Sequence, residues 1–217
     1  MTVRQLIDMA KYGELRNVAI VDNDAAMLGY INLGLLELAK RFPMYTEEAI
    51  ITIQEGKALY KLDGTDADVQ LSDTNKTYMW IVSAYTEVEI ASVKHLVQLS
   101  VNEDDDINSV NTIGYNQIQV PALKPAGDYI SIIYVAAPKM LTLVDIDGEL
   151  PLPPQMIETM LHYIGYRGHE SVSGEIQSEH ITHYQRFEQA CKRIEESGMF
   201  NINDVSTDMK YMNGVWA

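Results

Sequence analysis

Four side chains in the last third of the chain have types and spacings that could bind a metal ion. Glu158 and His162 are four residues apart in one helical segment, and Glu179 and His183 are four apart in the next. If the two helices ran antiparallel, two carboxylates and two imidazoles would come close enough to act as ligands. The sequence therefore allows a metal-binding helical module or a metal-dependent enzyme as the alternative function.

A surface or interface role explains the same four residues more simply. Carboxylate-bridged metal sites in helical bundles use Glu and His three residues apart, with further glutamates from other helices. A step of four is also common between polar residues on a solvated helix face. The sequence therefore predicts no catalytic, cofactor-binding or metal-binding residue, and it implies no cofactor.

The sequence also lacks the linear motifs of common enzyme classes. It contains no phosphate-binding loop, dinucleotide fingerprint, nucleophile elbow or H-E-x-x-H zinc helix. Cys191, the single cysteine, lies in a helical apolar pattern and is predicted to be a buried, reduced thiol. The acidic run at 103–106 lacks the carboxylate and glycine spacing of a calcium loop, so a solvated loop is favoured over a cation site.

The charge balance argues against binding nucleic acid through its phosphates. The chain has 31 acidic and 16 basic side chains, a net charge of −15. Neutralising phosphates requires a basic contact surface, whereas an acidic wall can line a passage because it repels DNA. Residues 1–17 are charged throughout and no apolar run reaches the length of a membrane span, so we expect a protein made and kept in a cytoplasm.

Two helices are predicted at the start of the chain. Apolar residues recur at helical spacing in VRQLIDMAKY, and a second helix is predicted to begin near Asp22 or Asn23, which can cap free amide groups. Its apolar stripe ends at Pro43. The residues predicted to face the core are Val3, Leu6, Ile7 and Ala10 in the first helix and Leu28, Ile31, Leu35, Leu38 and Phe42 in the second.

From about residue 46 the apolar period changes to two. Short runs rich in β-branched and aromatic residues alternate with turn-forming residues, a pattern that predicts about five to seven strands. The polar interval NEDDDINSVNTIGY is predicted to be an exposed loop. The predicted strand segments are AIITIQ, KALYKL, MWIVSAYTEVEI, KHLVQLSV, NQIQV and YISIIYVAA.

Helical periodicity returns after the segment DIDGELPLPP. The prolines at its end suit the first turn of a helix, which is predicted to occupy residues 154–171. An antiparallel neighbour is predicted at 174–197. Gly165 and Gly168 each weaken a helix by about 1 kcal/mol relative to alanine, so another group is expected to approach closely there.

These segments predict an α+β fold, in which an antiparallel helical bundle of about four helices carries an inserted all-β domain and an extended C-terminal tail. The helical domain comprises residues 1–45 and 138–197, and the β domain comprises 46–137. Residues 198–217 lack clean periodicity but retain large apolar side chains. We expect this tail to dock on another surface, since a disordered tail rarely retains such residues.

Several phrases, in this order along residues 1–197, resemble the head-to-tail adaptor (connector) proteins of tailed phages, the family that includes tail tubular protein A. The proline-led helix and the final helix are similar to the carboxy-terminal signature of that family. The phrases are YINLGLLELAKRFP, YNQIQVP, YVAAP, LPPQMIETMLHYIGYRGHE and SEHITHYQRFEQACKRIEES.

The resemblance implies a structural virion protein without catalysis. Family members assemble as a ring, usually a dodecamer, beneath the portal of the DNA-filled head, and the ring receives the tail nozzle. The implied partners are the portal protein, a tail nozzle or tail tube protein and further copies of the chain, with DNA passing through the lumen without specific binding and no membrane involved. The implied location is the head-tail interface of the virion, after synthesis in the host bacterial cytoplasm. Another virion part, such as a neck or tail-completion protein, remains an open interpretation.

The assembly interface is predicted to involve the third helix and the tail. A closed ring requires two different contact faces on each subunit. The candidate interface residues are Tyr163, Tyr166, Arg167, Phe200, Tyr211 and Trp216.

Overall fold

The computed structural model divides the chain into two compact units. Among the described residues, one unit combines Met1–Met44 with Pro138–Phe200, and the other lies within Tyr45–Ala137. We refer to them as the helical unit and the strand unit. The described residues are 1–16, 18, 23–90, 93–103, 106–121, 125, 127–172 and 178–200.

Four α-helices form within the described part of the helical unit. They are α1 (Val3–Tyr12), α2 (Asp24–Arg41), α3 (Ile157–Val172) and α4 (Ser178–Glu196). Helix α1 begins at a capping box, in which Thr2 and Gln5 each accept a hydrogen bond from the backbone amide of the other. The side chain of Asn23 caps α2 by accepting from the amide of Ala26 at 3.1 Å, which confirms the predicted start of that helix. None of these described helices is long and apolar enough to span a membrane.

Helix α3 is the common packing partner of the other three helices. Every residue predicted to face the core from the first two helices is buried, which confirms their periodicity. The chain from Pro138 to α3 joins the same core and contains two short 3-10 turns, Leu143–Asp145 and Pro154–Met156. Buried Asn32 of α2 holds this stretch through the backbone of Leu141, donating to its carbonyl at 2.9 Å and accepting from its amide at 2.8 Å.

Eight strands form two antiparallel sheets in the described part of the strand unit. They are β1 (Thr46–Thr52), β2 (Leu59–Lys61), β3 (Val69–Leu71), β4 (Tyr78–Ile90), β5 (Val93–Leu99), β6 (Asn111–Gly114), β7 (Gln117–Gln119) and β8 (Tyr129–Ala136). The larger sheet has the order β3-β1-β8-β4-β5 and the smaller has the order β2-β7-β6. On the central strand β8, the alternating residues Ile130, Ile132 and Tyr134 are fully buried and belong to the core of the strand unit.

The predicted fold class, a bundle of about four helices with an inserted all-β domain, is wrong. The described residues form four helices together with eight strands in two antiparallel sheets. Periodicity misses β3 and β6 because they have only three and four residues, and β6 lies inside the interval predicted to be a loop. In the helical unit, α3 is a shared partner and the non-helical stretch before it completes the core, so helices alone do not build that core. The chain beyond residue 200 lies outside the described residues.

Candidate functional site

Two prolines fix the start of α3. Pro153 has φ −55° and ψ 138°, and Pro154 opens the 3-10 turn that leads into α3 at Ile157. Backbone amides in the first turn of a helix have no acceptor within the helix, so proline, which has no amide hydrogen, costs no hydrogen bond there. The predicted role of the prolines at the helix entry is confirmed. The first turn, Pro154–Met156, is a 3-10 turn, and α-helical geometry begins after it, at Ile157.

Gly165 and Gly168 lie against other side chains of the helical unit. A β-carbon on Gly165 would be 2.8 Å from Nδ1 of His183 on α4, which is too close for an unshifted contact. A β-carbon on Gly168 would overlap Cδ2 of Leu15, which is buried in the turn after α1. The close neighbours expected from these glycines are therefore present, and they belong to the same chain.

Two histidines of the sequence pattern meet a glutamate that the pattern does not contain. Glu14, in the turn after α1, faces His162 on α3 and His183 on α4. Its Oε1 is 3.7 Å from Nδ1 of His162, and its Oε2 is 3.1 Å from Nδ1 of His183. One possible ligand atom from each residue lies within 4.8 Å of the others, so the three side chains could hold a metal ion. We call these three residues the Glu-His-His cluster.

Neighbouring side chains hold this cluster in place. His162 is 9% exposed and His183 is 8% exposed. A carboxylate oxygen of Glu158 lies 3.6 Å from Nε2 of His162. The ring of His169 stacks on that of His183 with centroids 5.1 Å apart, and its Nε2 lies 3.0 Å from the backbone carbonyl oxygen of Glu14. These contacts orient both imidazoles and the turn that carries the glutamate.

Burial affects the charge of one residue of the cluster, His183. Desolvation lowers the pKa of His183 below its ordinary value of 6.5; Glu14 opposes this effect, while His169, Arg186 and His162 add to it. The His183 imidazole is therefore neutral at neutral pH, and one of its ring nitrogens carries a lone pair. The Nδ1 atoms of His162 and His183 are both buried, and although both face Glu14, neither makes a well-oriented hydrogen bond to a described residue.

Sequence reasoning identified only part of this arrangement. His162 and His183 come together as the metal alternative requires, and both are buried and not on a solvated helix face. Glu158 lies beside His162, whereas the side chain of Glu179 is outside the described residues. Glu14 was missed because it lies far away along the chain, and a single acidic residue in a turn gives no periodic signal.

The predicted assembly residues of α3 differ in exposure. Tyr163 is buried, with its ring centroid 5.2 Å from that of Phe187. Tyr166 is partly buried beside Tyr163, with centroids 5.9 Å apart. Arg167 is partly exposed and pairs with Glu170 at 2.8 Å. Tyr166 and Arg167 therefore offer surface to a neighbour while Tyr163 supports them from the core, and the role of all three in assembly stays a prediction.

The predicted docking tail is described only at its beginning. Phe200 packs against the core of the helical unit, with its ring centroid 5.5 Å from that of Phe42. Tyr211 and Trp216 lie outside the described residues. Docking of the tail on another surface stays a prediction.

The described residues of each unit include an exposed apolar segment that sequence reasoning missed. In the helical unit, Met140, Leu143 and Val144 are exposed close together along the chain, and Val144 is 92% exposed. In the strand unit, Ile113 and Tyr115 are exposed near the β6–β7 turn, and Tyr115 is 82% exposed. Grouped apolar side chains at a surface often mark contacts with other proteins. The available sequence signal is the presence of large apolar residues outside any predicted helix or strand.

Cys191 is a buried thiol, as predicted. It is 1% exposed on α4, and burial raises the pKa of the thiol to about 11. The thiol therefore stays protonated at neutral pH and is a core side chain instead of a nucleophile. Nearby, the guanidinium of Arg41 donates to both carboxylate oxygens of Glu188 at 2.6 and 2.9 Å, which lowers the pKa of Glu188.

The acidic run lies only partly within the described residues. Oδ2 of Asp106 accepts from the hydroxyl of Ser100 at 2.5 Å, and its Oδ1 accepts from the amide of Asn108 at 2.8 Å. These bonds give Asp106 a role in forming the local turn. Residues 104 and 105 lie outside the described part, so the preference for a solvated loop over a cation site stays a prediction.

Comparison with protein families identifies a relationship that extends over both units. The family model described as SU10 adaptor protein matches residues 1–208 of the chain. No curated protein matches the chain in a sequence comparison.

Proposed function

The chain belongs to the SU10 adaptor protein family, a family of phage head-tail adaptors, and from this we propose that it is the structural virion protein that connects the portal to the tail. The observation that carries the proposal is the family match over residues 1–208. The proposed role is mechanical, because an adaptor acts by binding its neighbours and needs no catalytic residue or cofactor.

In the proposed assembly, copies of the chain close into a dodecameric ring between the portal protein and a tail nozzle or tail tube protein. Such a ring needs two different contact faces on each subunit. Met140, Leu143 and Val144 are candidates for one face, because burying these exposed side chains would remove apolar surface from water. Tyr166 and Arg167 are candidates for the other.

The charge of the chain fits a channel through which DNA moves. A net charge of −15 disfavours adhesion to phosphates, so DNA would be held away from the wall. We therefore expect a net acidic lumen. A ring reconstruction whose channel was lined mainly by Lys and Arg would contradict this expectation.

Mixing the purified chain with its portal protein tests the proposal, with native mass spectrometry and electron microscopy as readouts. A ring seated on the portal is expected. Val144→Asp should weaken ring formation because it places a charge in an apolar contact, whereas Gln185→Asp, at an exposed polar position of α4, is the matched control. Circular dichroism should show both variants to be folded.

Two outcomes of this experiment would count against the proposal. Monomers that ignore the portal would contradict the adaptor role. Binding to a tail protein without binding to the portal would favour a neck or tail-completion protein.

A further inference from the structure

We propose that the Glu-His-His cluster is a binding site for a divalent transition-metal ion, with zinc as the ion of choice. Glu14, His162 and His183 would each supply one ligand atom. The site goes beyond the adaptor role and is independent of it, because all three residues lie within the helical unit of one chain.

The separations between the donor atoms are close to those of a zinc site. Zinc binds nitrogen and carboxylate oxygen at about 2.0–2.2 Å, so neighbouring ligand atoms of a tetrahedral site are about 3.3–3.5 Å apart. The two distances from the Glu14 carboxylate, 3.1 Å to His183 and 3.7 Å to His162, lie on either side of that value. All three ligand atoms already lie within 4.8 Å of one another, so small side-chain movements would bring them to the spacing of a tetrahedral site.

The two imidazoles also lack the hydrogen bonds that buried polar atoms normally make. Nδ1 of His162 and Nδ1 of His183 are buried, and neither makes a hydrogen bond of good geometry to a described residue. Both atoms face the Glu14 carboxylate. Buried polar atoms without hydrogen bonds are uncommon in native proteins, and binding of an ion is one of the recognised reasons for them. A metal bound to these two nitrogens would satisfy both.

The surrounding residues suit the outer shell of such a site. In metal sites, the second nitrogen of a ligating histidine usually donates to a carboxylate or a carbonyl, which leaves the first nitrogen with its lone pair toward the metal. Glu158 is positioned to accept from the second nitrogen of His162, because its Oε1 lies 3.6 Å from Nε2 of that residue. His169 lies 3.0 Å from the backbone carbonyl of Glu14 and so holds the turn that carries the third ligand. Glu158 and His169 are therefore positioning residues.

The ligand set selects among metals. Two imidazoles and one carboxylate suit zinc and cobalt, whereas magnesium and calcium prefer oxygen ligands. The Glu14 side chain is 24% exposed, so water can reach the remaining coordination position. The ligands come from the turn after α1, from α3 and from α4, so a bound ion would connect three separate parts of the helical unit.

Titration of the tag-free, chelator-stripped chain tests the site, with calorimetry for Zn²⁺ and visible absorption for Co²⁺. We expect one ion per chain, no response to Mg²⁺, and a higher melting temperature with Zn²⁺. Glu14→Gln and His183→Ala should abolish binding, and Glu158→Gln should weaken it about 10- to 100-fold. His95→Ala, a histidine of the strand unit, is the control and should bind as the native chain does.

Three results would overturn the proposal. They are the absence of stoichiometric Zn²⁺ binding, binding that survives both Glu14→Gln and His183→Ala, and equal loss in the His95→Ala control. Circular dichroism of each variant without metal separates lost binding from lost folding. Because Glu14 lies in a partly exposed turn, Glu14→Gln keeps the test decisive even if His183→Ala fails to fold.

Discussion

Replacing Gly34 by alanine probes the closest approach between α2 and α3. A β-carbon on Gly34 would lie 2.5 Å from Sδ of Met160 and 2.9 Å from Cδ1 of Tyr163. Both neighbours are buried on α3, and at these distances a side chain must shift to admit the methyl group. Gly29 lies on the same helix but is exposed, and a β-carbon there would meet no atom within 4 Å. Gly29→Ala is therefore the matched control.

The two substitutions share a gain in helix propensity and differ in steric cost. Alanine stabilises a helix interior by about 1 kcal/mol relative to glycine. An extra methyl group in a packed core costs about 1–3 kcal/mol. We therefore expect Gly29→Ala to raise the free energy of unfolding by about 1 kcal/mol and Gly34→Ala to lower it by up to about 2 kcal/mol.

Urea unfolding followed by far-ultraviolet circular dichroism measures this difference. The helical signal reports on the helical unit, because the four described α-helices all lie there. The dependence of stability on urea should be the same for both variants, so that the midpoints can be compared. If Gly34→Ala gained as much stability as Gly29→Ala, the contact between α2 and α3 would have room for a methyl group and the packing described above would be wrong.

Three further predictions concern the thiol, an ion pair and the tail. Cys191 should react slowly with thiol reagents at neutral pH in the folded chain and rapidly in urea, since its pKa is raised to about 11 by burial; equal rates would contradict its burial. Arg41→Met should cost at most about 1 kcal/mol at neutral pH because the pair with Glu188 is partly exposed. Arg41 lowers the pKa of Glu188 below its ordinary value of 4.5, so the ion pair stabilises the fold above pH 4.5 and stops doing so as the pH falls through the lowered pKa. In urea unfolding at acidic pH, the difference in stability between Arg41→Met and the native chain should therefore disappear. Removing 201–217 while keeping Phe200 should abolish ring formation in native mass spectrometry and leave the circular dichroism spectrum unchanged, and normal assembly of the shortened chain would refute docking by the tail.

The first two helices could be predicted from sequence because local rules agree there. In α1, every third or fourth residue is apolar and a capping pair precedes the helix, and the structure buries Val3, Leu6, Ile7 and Ala10. Asn23 caps α2 as expected. The glycines of α3 predicted close packing correctly, although spacing alone could not show that the neighbours are in the same chain.

The fold class could not be predicted, because it depends on pairings that leave little local signal. Strand β3 has three residues and β6 has four, too few for an alternating pattern to stand out. The stretch between Pro138 and α3 shows no helical period, yet it supplies core residues such as Leu141 and Ile146.

The candidate site shows the same limit. The spacing of His162 and His183 within their own helices can be read along the chain, but the approach of Glu14 depends on where the turn after α1 lies in the folded helical unit. The metal alternative, which paired Glu158 with His162 and Glu179 with His183, therefore included one carboxylate beside the cluster and missed Glu14, which faces both imidazoles.

Cryo-electron microscopy of the intact virion tests the adaptor role most directly. We expect density for this chain as a closed ring between the portal and the tail, with a net acidic channel. A head-tail junction built entirely from other proteins, with this chain absent from the virion or located elsewhere in it, would contradict the adaptor role.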